Sequence, residues 1–376
     1  MVKQQLVEEG ERKYHMRRSS FGVLLRFIVL SSTVILLGIF LCYRFIRDDI
    51  SSYDLIVIIK PSNIEECYCQ YKSKSYKMCY APSFAPNLLG KRFNCNSLEF
   101  LNYTDLLEPK TKVDLENEDF SKVPILTAAS ENHVEETKEM LYFVRKLWPE
   151  KKVIFYDLGL TEVTRNELKT YCNFELRTFP FELFPPYVRN LKEYRWKPLI
   201  IAMTLLEFDT IWYMDSSVRW LKAKMDKYYE MIRCRNNLTG NDGCAKSSLL
   251  MLTEAGHGIY TSTHPGMYSY LATDLERIKS VTELGATIML IANTRESKEL
   301  LKWYMHCSFI EIYEEFILYP VCHRYDQSAI NILLANQFNF NVSRYFANYS
   351  SPFDIRRSAS AKIDSERLKN CSRRFY

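Results

Sequence analysis

Hydrophobic and polar positions divide the chain into one long apolar run near its start and a region of shorter alternating patterns. The run extends from Phe21 to Tyr43 and contains a single charged residue, Arg26. About 20 apolar residues are enough to cross a bilayer as a helix. Arg26 lies close to the start of the run, where a long side chain can reach the membrane interface. The pattern therefore predicts a transmembrane helix over residues 21–43.

The charges around this run predict its orientation. Basic residues are concentrated in residues 1–20, which are expected to form a cytosolic tail because short cytosolic segments are enriched in Lys and Arg. No small-residue cleavage site follows the run, which favours an uncleaved signal-anchor. We therefore expect a single-pass type II protein of the Golgi or endoplasmic reticulum membrane, with everything after Tyr43 in the lumen.

Two features of the region after the anchor agree with a luminal location. Ten of the eleven cysteines lie there, an even number that suits disulfide bonds in an oxidising compartment. Cys234 with Cys244 and Cys307 with Cys322 are plausible local pairs. A metal site is the alternative for the remaining cluster, Cys67, Cys69, Cys79 and Cys95. The second feature is a set of five glycosylation sequons, at Asn102, Asn237, Asn341, Asn348 and Asn370.

The luminal region divides into two parts by its periodicity. Residues 44–122 show poor helix and strand periodicity and are expected to form a Cys-containing stem. From Val123 onwards, apolar strand-like runs alternate with helix-like segments. The expected strands are Val123–Ser130, Val153–Asp157, Phe174–Phe181 and the run ending at Asp215. The expected helices start at an Asn132/Glu135 capping box, start at Thr164 with Glu167, and span Trp196–Phe208.

This alternation predicts an α/β domain over residues 123–376, with a mainly parallel sheet and helices on both faces. Ligands of such sheets bind at the carboxyl ends of the strands. The expected rim consists of Thr127–His133, Asp157–Gly159 and Asp215–Arg219. A carboxylate at the position of Asp215 is well placed to meet a ligand, but it could equally bond the amides of a strand-end turn.

The segment from Lys197 to Trp220 resembles the core of the nucleotide-sugar glycosyltransferases with the single Rossmann-like fold called GT-A. In those enzymes a strand ends in Asp-x-Asp, which holds the sugar nucleotide through a divalent cation. The corresponding residues here are Asp215-Ser216-Ser217. The resemblance implies that Asp215 and Ser217 meet the donor, and that Asp215 is the candidate ligand for Mn or Mg. A serine hydroxyl is a weak ligand for a hard cation.

We therefore expect a site that depends little or not at all on metal. Lys197, Arg219 or Arg324 would then neutralise the diphosphate directly. The alternative for each of these residues is a solvated surface charge.

A second block, His323 to Asn331, is similar to the late Asp-Gln element of several GT-A families. The resemblance implies that Asp326 and Gln327 line the acceptor and donor-sugar side of the site. Asp326 is the candidate general base if the reaction inverts configuration. The alternative is an ordinary helix N-cap. A third block, Gly256–Tyr268, contains His257 and His264, which could bind sugar hydroxyls or assist proton transfer, or could simply form a turn.

Residues from Val123 to about Phe346 resemble a family of single-pass luminal proteins expanded in nematodes, the domain of unknown function 1647. The resemblance depends on Thr127–Ser130 with Asn132-His133, Trp212–Arg219, His264-Pro265 and His323–Asn331. It implies no activity of its own.

Together these patterns predict a luminal, hexosyltransferase-like glycosyltransferase. It would move a sugar from a nucleotide diphosphate sugar to a glycan, lipid or protein hydroxyl, with Thr127 and Asn132 near the nucleotide base. The alternative is a non-catalytic protein of the same fold that binds a glycan or protein partner. The net charge is +5, but no basic stripe is present, so nucleic acid is not an expected partner.

Overall fold

A computed structural model of the chain describes residues 64–236, 244, 247–310, 324–347, 352–360 and 362–369. The predicted tail, the predicted anchor and the first part of the predicted stem lie outside these ranges. Within them, no helix is long and apolar enough to cross a bilayer.

The centre of the protein is a six-stranded sheet. Its strands are β3 (Ile125–Ala129), β4 (Val153–Asp157), β5 (Phe174–Thr178), β6 (Thr210–Met214), β8 (Leu249–Gly258) and β9 (Thr282–Ala292), in the spatial order β5-β4-β3-β6-β9-β8. The first three pairings are parallel, and β9 pairs antiparallel with both of its neighbours. The predicted α/β sheet is therefore present, and it is mixed and mainly parallel.

Two small antiparallel pairs lie outside this sheet. They are β1 (Tyr68–Tyr71) with β2 (Lys74–Lys77), and β7 (Val218–Trp220) with β10 (Phe353–Ile355).

Strands β3, β4 and β6 are buried on both faces, as apolar runs rich in β-branched and aromatic residues require, whereas the edge strand β5 is only partly buried. Alternate residues of one strand belong to different cores: Ile211 and Tyr213 to one, Trp212 and Met214 to the other. This is the period of two of a strand. Each core also contains helices, so the prediction of helices on both faces is confirmed.

Ten α-helices lie in the described residues. On the first face are α1 (Ser97–Tyr103), α4 (Trp196–Thr204), α6 (Pro265–Tyr270), α7 (Leu275–Ile278), α8 (Arg295–Cys307) and α9 (Asp326–Gln337). On the second are α2 (Val134–Leu147), α3 (Glu162–Leu168), α5 (Asp226–Arg233) and α10 (Glu366–Lys369).

The predicted helix starts are corrected at two places. No side-chain cap is present at α2, whose N-cap is His133, because Asn132 is used in a contact with Ser130. The cap of α3 is Thr161, three residues before the predicted Thr164, whose amide it accepts. Both errors are local, since a capping motif can be satisfied at several nearby positions in a polar loop.

The part of the predicted stem that the structure describes, residues 64–122, packs against the sheet, mostly in the first core, with Val113, Leu115 and Phe120 in the second. Phe93, for example, stacks on His306 of α8 and contacts Trp303. Two disulfides, Cys67–Cys79 and Cys69–Cys95, hold this segment, and the alternative metal site at these four cysteines is therefore wrong.

The other cysteines follow the prediction only in part. Cys234 and Cys244 form the predicted disulfide, and Cys172 is also disulfide-bonded. Cys307, in contrast, is a buried free thiol. The predicted pair of Cys307 with Cys322 is wrong, because Cys307 belongs to the buried end of α8 in the first core.

Strand β9 continues past the end of β6, which leaves part of its main chain without a strand partner on that side. Two amide side chains, one turn apart on α9, satisfy it. Asn331 accepts from the amide of Leu284 (2.8 Å) and donates to the carbonyl of the same residue (2.7 Å). Gln327 accepts from the amide of Ala286 (3.2 Å). Gln327 and Asn331, four residues apart on α9, therefore reach Ala286 and Leu284, two residues apart on β9.

We expect Asn331→Ala to destabilise the fold by about 1–3 kcal/mol, because it leaves a buried amide and a buried carbonyl without partners. Urea unfolding measures this loss. Gln337→Ala is the matched control, since Gln337 is an exposed amide on the same helix. Equal stability of the two variants would contradict the role given to Asn331.

Candidate active site

The buried ammonium of Lys197 is the centre of the candidate site. Lys197 lies at the start of α4, and its side chain is only 3% exposed. Its Nζ lies 2.8 Å from Asp326 Oδ2 and 3.4 Å from Asp215 Oδ1. It also donates to the carbonyl oxygen of Ala286, at 3.2 Å. The Lys197 ammonium therefore links the start of α4 to the end of β6, to β9 and to the start of α9.

The carboxylate of Asp215 faces this ammonium because of its place in the strand. Asp215 follows β6, two residues after Tyr213, and a spacing of two puts both side chains on one face. Tyr213 Oη donates to Asp215 Oδ1 at 2.5 Å. The turn after β6 is closed by the amide of Val218 and the main-chain carbonyl of Asp215. The side chain of Asp215 therefore has a role other than that of a turn cap.

Asp326 is the first residue of α9, where a negative charge is favoured by the helix dipole. Its side chain is 6% exposed, and Tyr304 of α8 donates to its Oδ2 at 3.4 Å. The N-cap position belongs to Tyr325, without a side-chain cap. Burial raises the pKa of Asp326 above its ordinary value, Lys197 opposes the rise, and Asp215 adds to it.

The charge balance of the cluster favours an ionised lysine. Burial alone would lower the pKa of Lys197, but Asp215 and Asp326 together raise it above its ordinary value. The rings of Tyr194 and Tyr213 add cation–π contacts, with Nζ 5.2 and 5.0 Å from their centroids. The ammonium is therefore held by charge and by aromatic faces while it is shielded from water.

The residues just before the two helices have a strained backbone. Tyr194, before α4, has φ 54°, and Tyr325, before α9, has φ 41°. Positive φ in a non-glycine residue costs on the order of 1–3 kcal/mol, and such residues cluster at functional sites. Lys197 and Asp326 are both presented by chain turns that the sequence does not favour locally.

The oxygen atoms that this cluster could offer to a divalent cation are those of Asp215 and Asp326. Within the described ranges, no group of three or more His, Cys, Asp or Glu side chains could hold a metal. Mg²⁺ is commonly held by one or two carboxylates together with water and substrate phosphates. In this structure both carboxylates contact the ammonium of Lys197.

Gln327, predicted beside Asp326, is fully engaged by β9. Its Oε1 accepts from the Ala286 amide, and its Nε2 donates to Glu283 at 2.9 Å. Gln327 therefore fixes the start of α9 against the strand that also accepts from Lys197.

Thr127, Asn132 and Ser217 were also predicted for the site, and these three residues do not join the cluster. Thr127 is completely buried in the middle of β3, and its hydroxyl has no hydrogen-bond partner. Asn132 is exposed and bonded to Ser130. Ser217 is buried in the turn after Asp215, where its carbonyl accepts from the amide of Arg356.

Arg219, predicted to face the diphosphate, lies elsewhere. Its side chain has no exposed surface and forms an ion pair with Glu139 at 3.0 Å. It also donates to the main-chain carbonyl of Ser216. Its charge is therefore neutralised inside the second core.

Asp157, on the predicted rim, also has a structural role. It is buried, accepts from the amides of Gly159 and Leu160, and pairs with Arg165. Of the predicted rim, only the Asp215 segment contributes a carboxylate to the cluster.

The three tyrosines of the site were not assigned a role from the sequence. Tyr213 carries a usable signal, since it precedes Asp215 by two in a strand. Tyr194 and Tyr304 carry no such signal. Tyr304, for example, reaches Asp326 only because α8 packs beside α9 in the first core.

Two of the predicted glycosylation sequons can be placed. Asn102 and Asn341 are both exposed. Asn237, Asn348 and Asn370 lie outside the described residues.

Residues 66–202 match the family described as protein of unknown function (DUF1647). This match confirms the resemblance to that family. No curated protein matches the sequence.

Several solved glycosyltransferase structures are similar to the chain. The galactosyltransferase LgtC, in complex with donor and acceptor sugar analogues, has 15% identity and a TM-score of 0.33, over 56% of this chain and 70% of that one. The bifunctional glycosyltransferase WbbM has 12% identity and a TM-score of 0.36, over 58% and 38%. The glycosyltransferase GlyE of Streptococcus pneumoniae TIGR4 has 12% identity and a TM-score of 0.33, over 57% and 44%. Likenesses of this size carry no argument about the activity of this chain.

We expect Lys197→Met to lower stability at neutral pH by about 3–5 kcal/mol, because it leaves buried carboxylate without its cation. The loss should shrink as the pH falls. The pKa of Asp326 is raised in the folded state and rises further without Lys197, so protonation at low pH favours folding and ionisation at higher pH opposes it. Urea unfolding between pH 4 and pH 8 measures this dependence.

Lys298→Met is the matched control. Lys298 is also buried, but its partner Asp105 is 45% exposed and remains solvated when the lysine is removed. A pH-independent loss in Lys197→Met, equal to that of the control, would contradict the role of the Lys197 ammonium.

Proposed function

We propose that the protein is a glycosyltransferase that moves a sugar from a nucleotide diphosphate sugar to a hydroxyl of a glycan, lipid or protein. The observation that carries the proposal is the pairing of Asp215 and Asp326 through the buried Lys197. Burying two carboxylates beside one cation costs free energy, because all three groups lose their hydration. Perturbed groups of this kind concentrate at functional sites.

The position of this cluster in the sheet supports a ligand site. Strands β4 and β5 lie on one side of β3, and β6 lies on the other, so the order of the parallel strands reverses between β3 and β6. Ligands of open α/β sheets bind at such a point, outside the carboxyl ends of the strands. Asp215 follows the carboxyl end of β6 directly.

An anionic donor needs positive charge beyond Lys197, and the pair Arg356 and Arg357 is our candidate. The antiparallel pairing of β10 with β7 brings this pair beside the turn after Asp215, where the Arg356 amide donates to the Ser217 carbonyl at 2.8 Å. Burial raises the pKa of Tyr194, and the charges of Lys197 and Arg357 oppose the rise. Arg357 is exposed and lies in electrostatic reach of the site.

The proposed reaction needs no divalent cation. Lys197 orients Asp215 and Asp326, whose charges offset its own, and Arg357 supplies the positive charge that meets the diphosphate as it leaves. Asp326 is committed to Lys197 at 2.8 Å, so in this scheme it orients the ammonium and does not accept the proton of the acceptor.

We further propose that the enzyme works in the lumen of the Golgi or endoplasmic reticulum, held by the anchor at residues 21–43. The disulfides of the described residues support an oxidising compartment. The apolar run itself is the reason to expect the anchor.

A binding protein of the same fold is the second candidate. The observation in its favour is the small size of the cavity beside Asp326, which has a volume of about 10 Å³ and is lined by Tyr194, Tyr304 and Cys307 among others. Pockets for small-molecule ligands usually enclose about 300–1,000 Å³. Binding of a nucleotide sugar separates the two candidates, because only the transferase must hold the donor.

We expect one nucleotide sugar of a panel to raise the melting temperature of the full-length protein, since a ligand that binds only the folded state stabilises it by mass action. At 100 times the dissociation constant the gain is about 2.7 kcal/mol. Asp215→Ala should abolish the shift. Asp209→Ala is the matched control, because Asp209 is exposed at the opposite end of the same strand. If no donor shifts a folded sample, the binding protein is the better interpretation.

Chelation should leave this shift unchanged, because in this scheme Arg357 and not a metal supplies the positive charge that meets the diphosphate. The same titration, repeated with EDTA and then with added manganese, measures this. A shift that appears only with manganese would contradict the metal-free scheme while it supports the transferase.

Arg357→Ala should weaken donor binding about tenfold, and Arg367→Ala, at an exposed arginine of α10, should not.

A further inference from the structure

Glu283 is a buried acid that the reaction scheme above does not use. It is the only charged residue of β9, and its side chain has no exposed surface. Gln327 donates to its Oε2 at 2.9 Å, and Ser328 donates to its Oε1 at 3.5 Å. A carboxylate costs several kcal/mol to bury, so its place in an otherwise apolar strand calls for a chemical reason.

An irregularity in the neighbouring strand presents a histidine to this acid. The register of β8 against β9 shifts between Glu254 and Gly258, and Gly256 in this bulge has φ +80°. Bulges re-aim side chains and are common next to active sites. His257 Nδ1 consequently lies 3.1 Å from Glu283 Oε2, within ion-pair distance.

The two ring nitrogens of His257 are in different surroundings. Nδ1 is buried and has no aligned hydrogen bond, although Glu283 is close. The side chain as a whole is 29% exposed. A neutral imidazole that carries its proton on Nδ1, towards Glu283, keeps its lone pair on Nε2. Nε2 is then the nitrogen that remains for a ligand.

The His257–Glu283 pair is linked to the Lys197 cluster through one residue, Gln327. Gln327, which bonds Glu283, directly follows Asp326. The charge of Asp326 also acts on Glu283. The pair and the cluster are therefore built on the same short stretch of β9 and the same start of α9.

We propose that His257, within ion-pair distance of Glu283, is the base that receives the proton of the acceptor hydroxyl, so that the acceptor binds beside the bulge of β8. This inference rests on the proposed transferase. It assigns the proton transfer to His257 instead of Asp326, and it places the acceptor, a hydroxyl-bearing compound, on the β8 side of the donor.

The step is balanced without a further reactant. The acceptor oxygen forms a bond to the anomeric carbon, and the bond from that carbon to the diphosphate oxygen breaks. The electron pair of the broken bond leaves with the nucleoside diphosphate. The acceptor proton moves to His257 Nε2, and the carboxylate of Glu283 balances the imidazolium charge that forms.

His264, the other histidine of the predicted loop, has a different role. Its Nδ1 accepts from the amide of Gly266 at 3.0 Å and caps α6. Burial lowers its pKa. His264 thus provides a matched control for His257.

Glu283 should make the reaction depend on pH near neutrality. Burial raises its pKa to about 7; bonds from Gln327 and Ser262 and the charge of Arg324 oppose the rise, and Asp326 adds to it. His257 faces it from β8, and Tyr268 faces it from α6. Above about pH 7 Glu283 is charged and can balance an imidazolium; below that pH it is neutral and cannot.

The experiment uses the full-length protein and a panel of UDP- and GDP-sugars, with water in place of the unknown acceptor hydroxyl. Release of nucleoside diphosphate gives the rate between pH 5 and pH 9, and the melting shift gives donor binding. His257→Ala should lower the rate at least about 100-fold and leave the donor shift intact. Added imidazole should restore part of the rate. Glu283→Gln should lower the rate. It should also remove the loss of activity that the wild type shows as the pH falls through about 7.

The outcomes separate the two proposals. If the wild type neither binds nor hydrolyses any donor, the transferase itself is overturned. If it does, but His257→Ala and Glu283→Gln keep the wild-type rate and pH profile, only the assignment of the base is overturned. A loss in His264→Ala that imidazole also restores would overturn the choice of His257. Donor shifts and melting temperatures of the variants distinguish a lost base from a lost fold.

Discussion

The buried ammonium of Lys197 holds together parts of the chain that are far apart in sequence. It is bonded to Asp326 at the start of α9 and to the Ala286 carbonyl of β9, and it lies beside Asp215 after β6. A cation removed from water is tolerated only when its partners compensate the lost hydration. The positions of the two carboxylates, of the tyrosines around them and of the helix that carries Asp326 all depend on that compensation.

The second constraint is the unpaired main chain of β9 beyond the end of β6. Buried main-chain groups must find partners, and α9 supplies them through Gln327 and Asn331. The Asp-Gln element therefore has two tasks that its sequence does not distinguish. Asp326 faces the ammonium, whereas Gln327 ties the helix to the strand and to Glu283.

The segment before the sheet contributes to the site indirectly. Its disulfide-bonded part packs against α8, where Ser97 contacts Nδ1 of His306 at 3.0 Å and Phe93 stacks on the same ring. Burial lowers the pKa of His306 to about 3, so the ring stays neutral in this contact. Helix α8 also carries Tyr304, which donates to Asp326. Residues 64–122 thereby support the wall of the site through one helix.

The sequence by itself determined the α/β class, most strand positions and the prominence of Lys197, Asp215 and Asp326, because periodicity and strand-end carboxylates are local signals. It also indicated Cys234 with Cys244. Only the tertiary structure decided that Arg219 is neutralised by Glu139, that Cys307 remains a thiol, and that Glu283 meets His257. These outcomes depend on which charges lose their water together, and that is fixed by packing between segments distant in the chain.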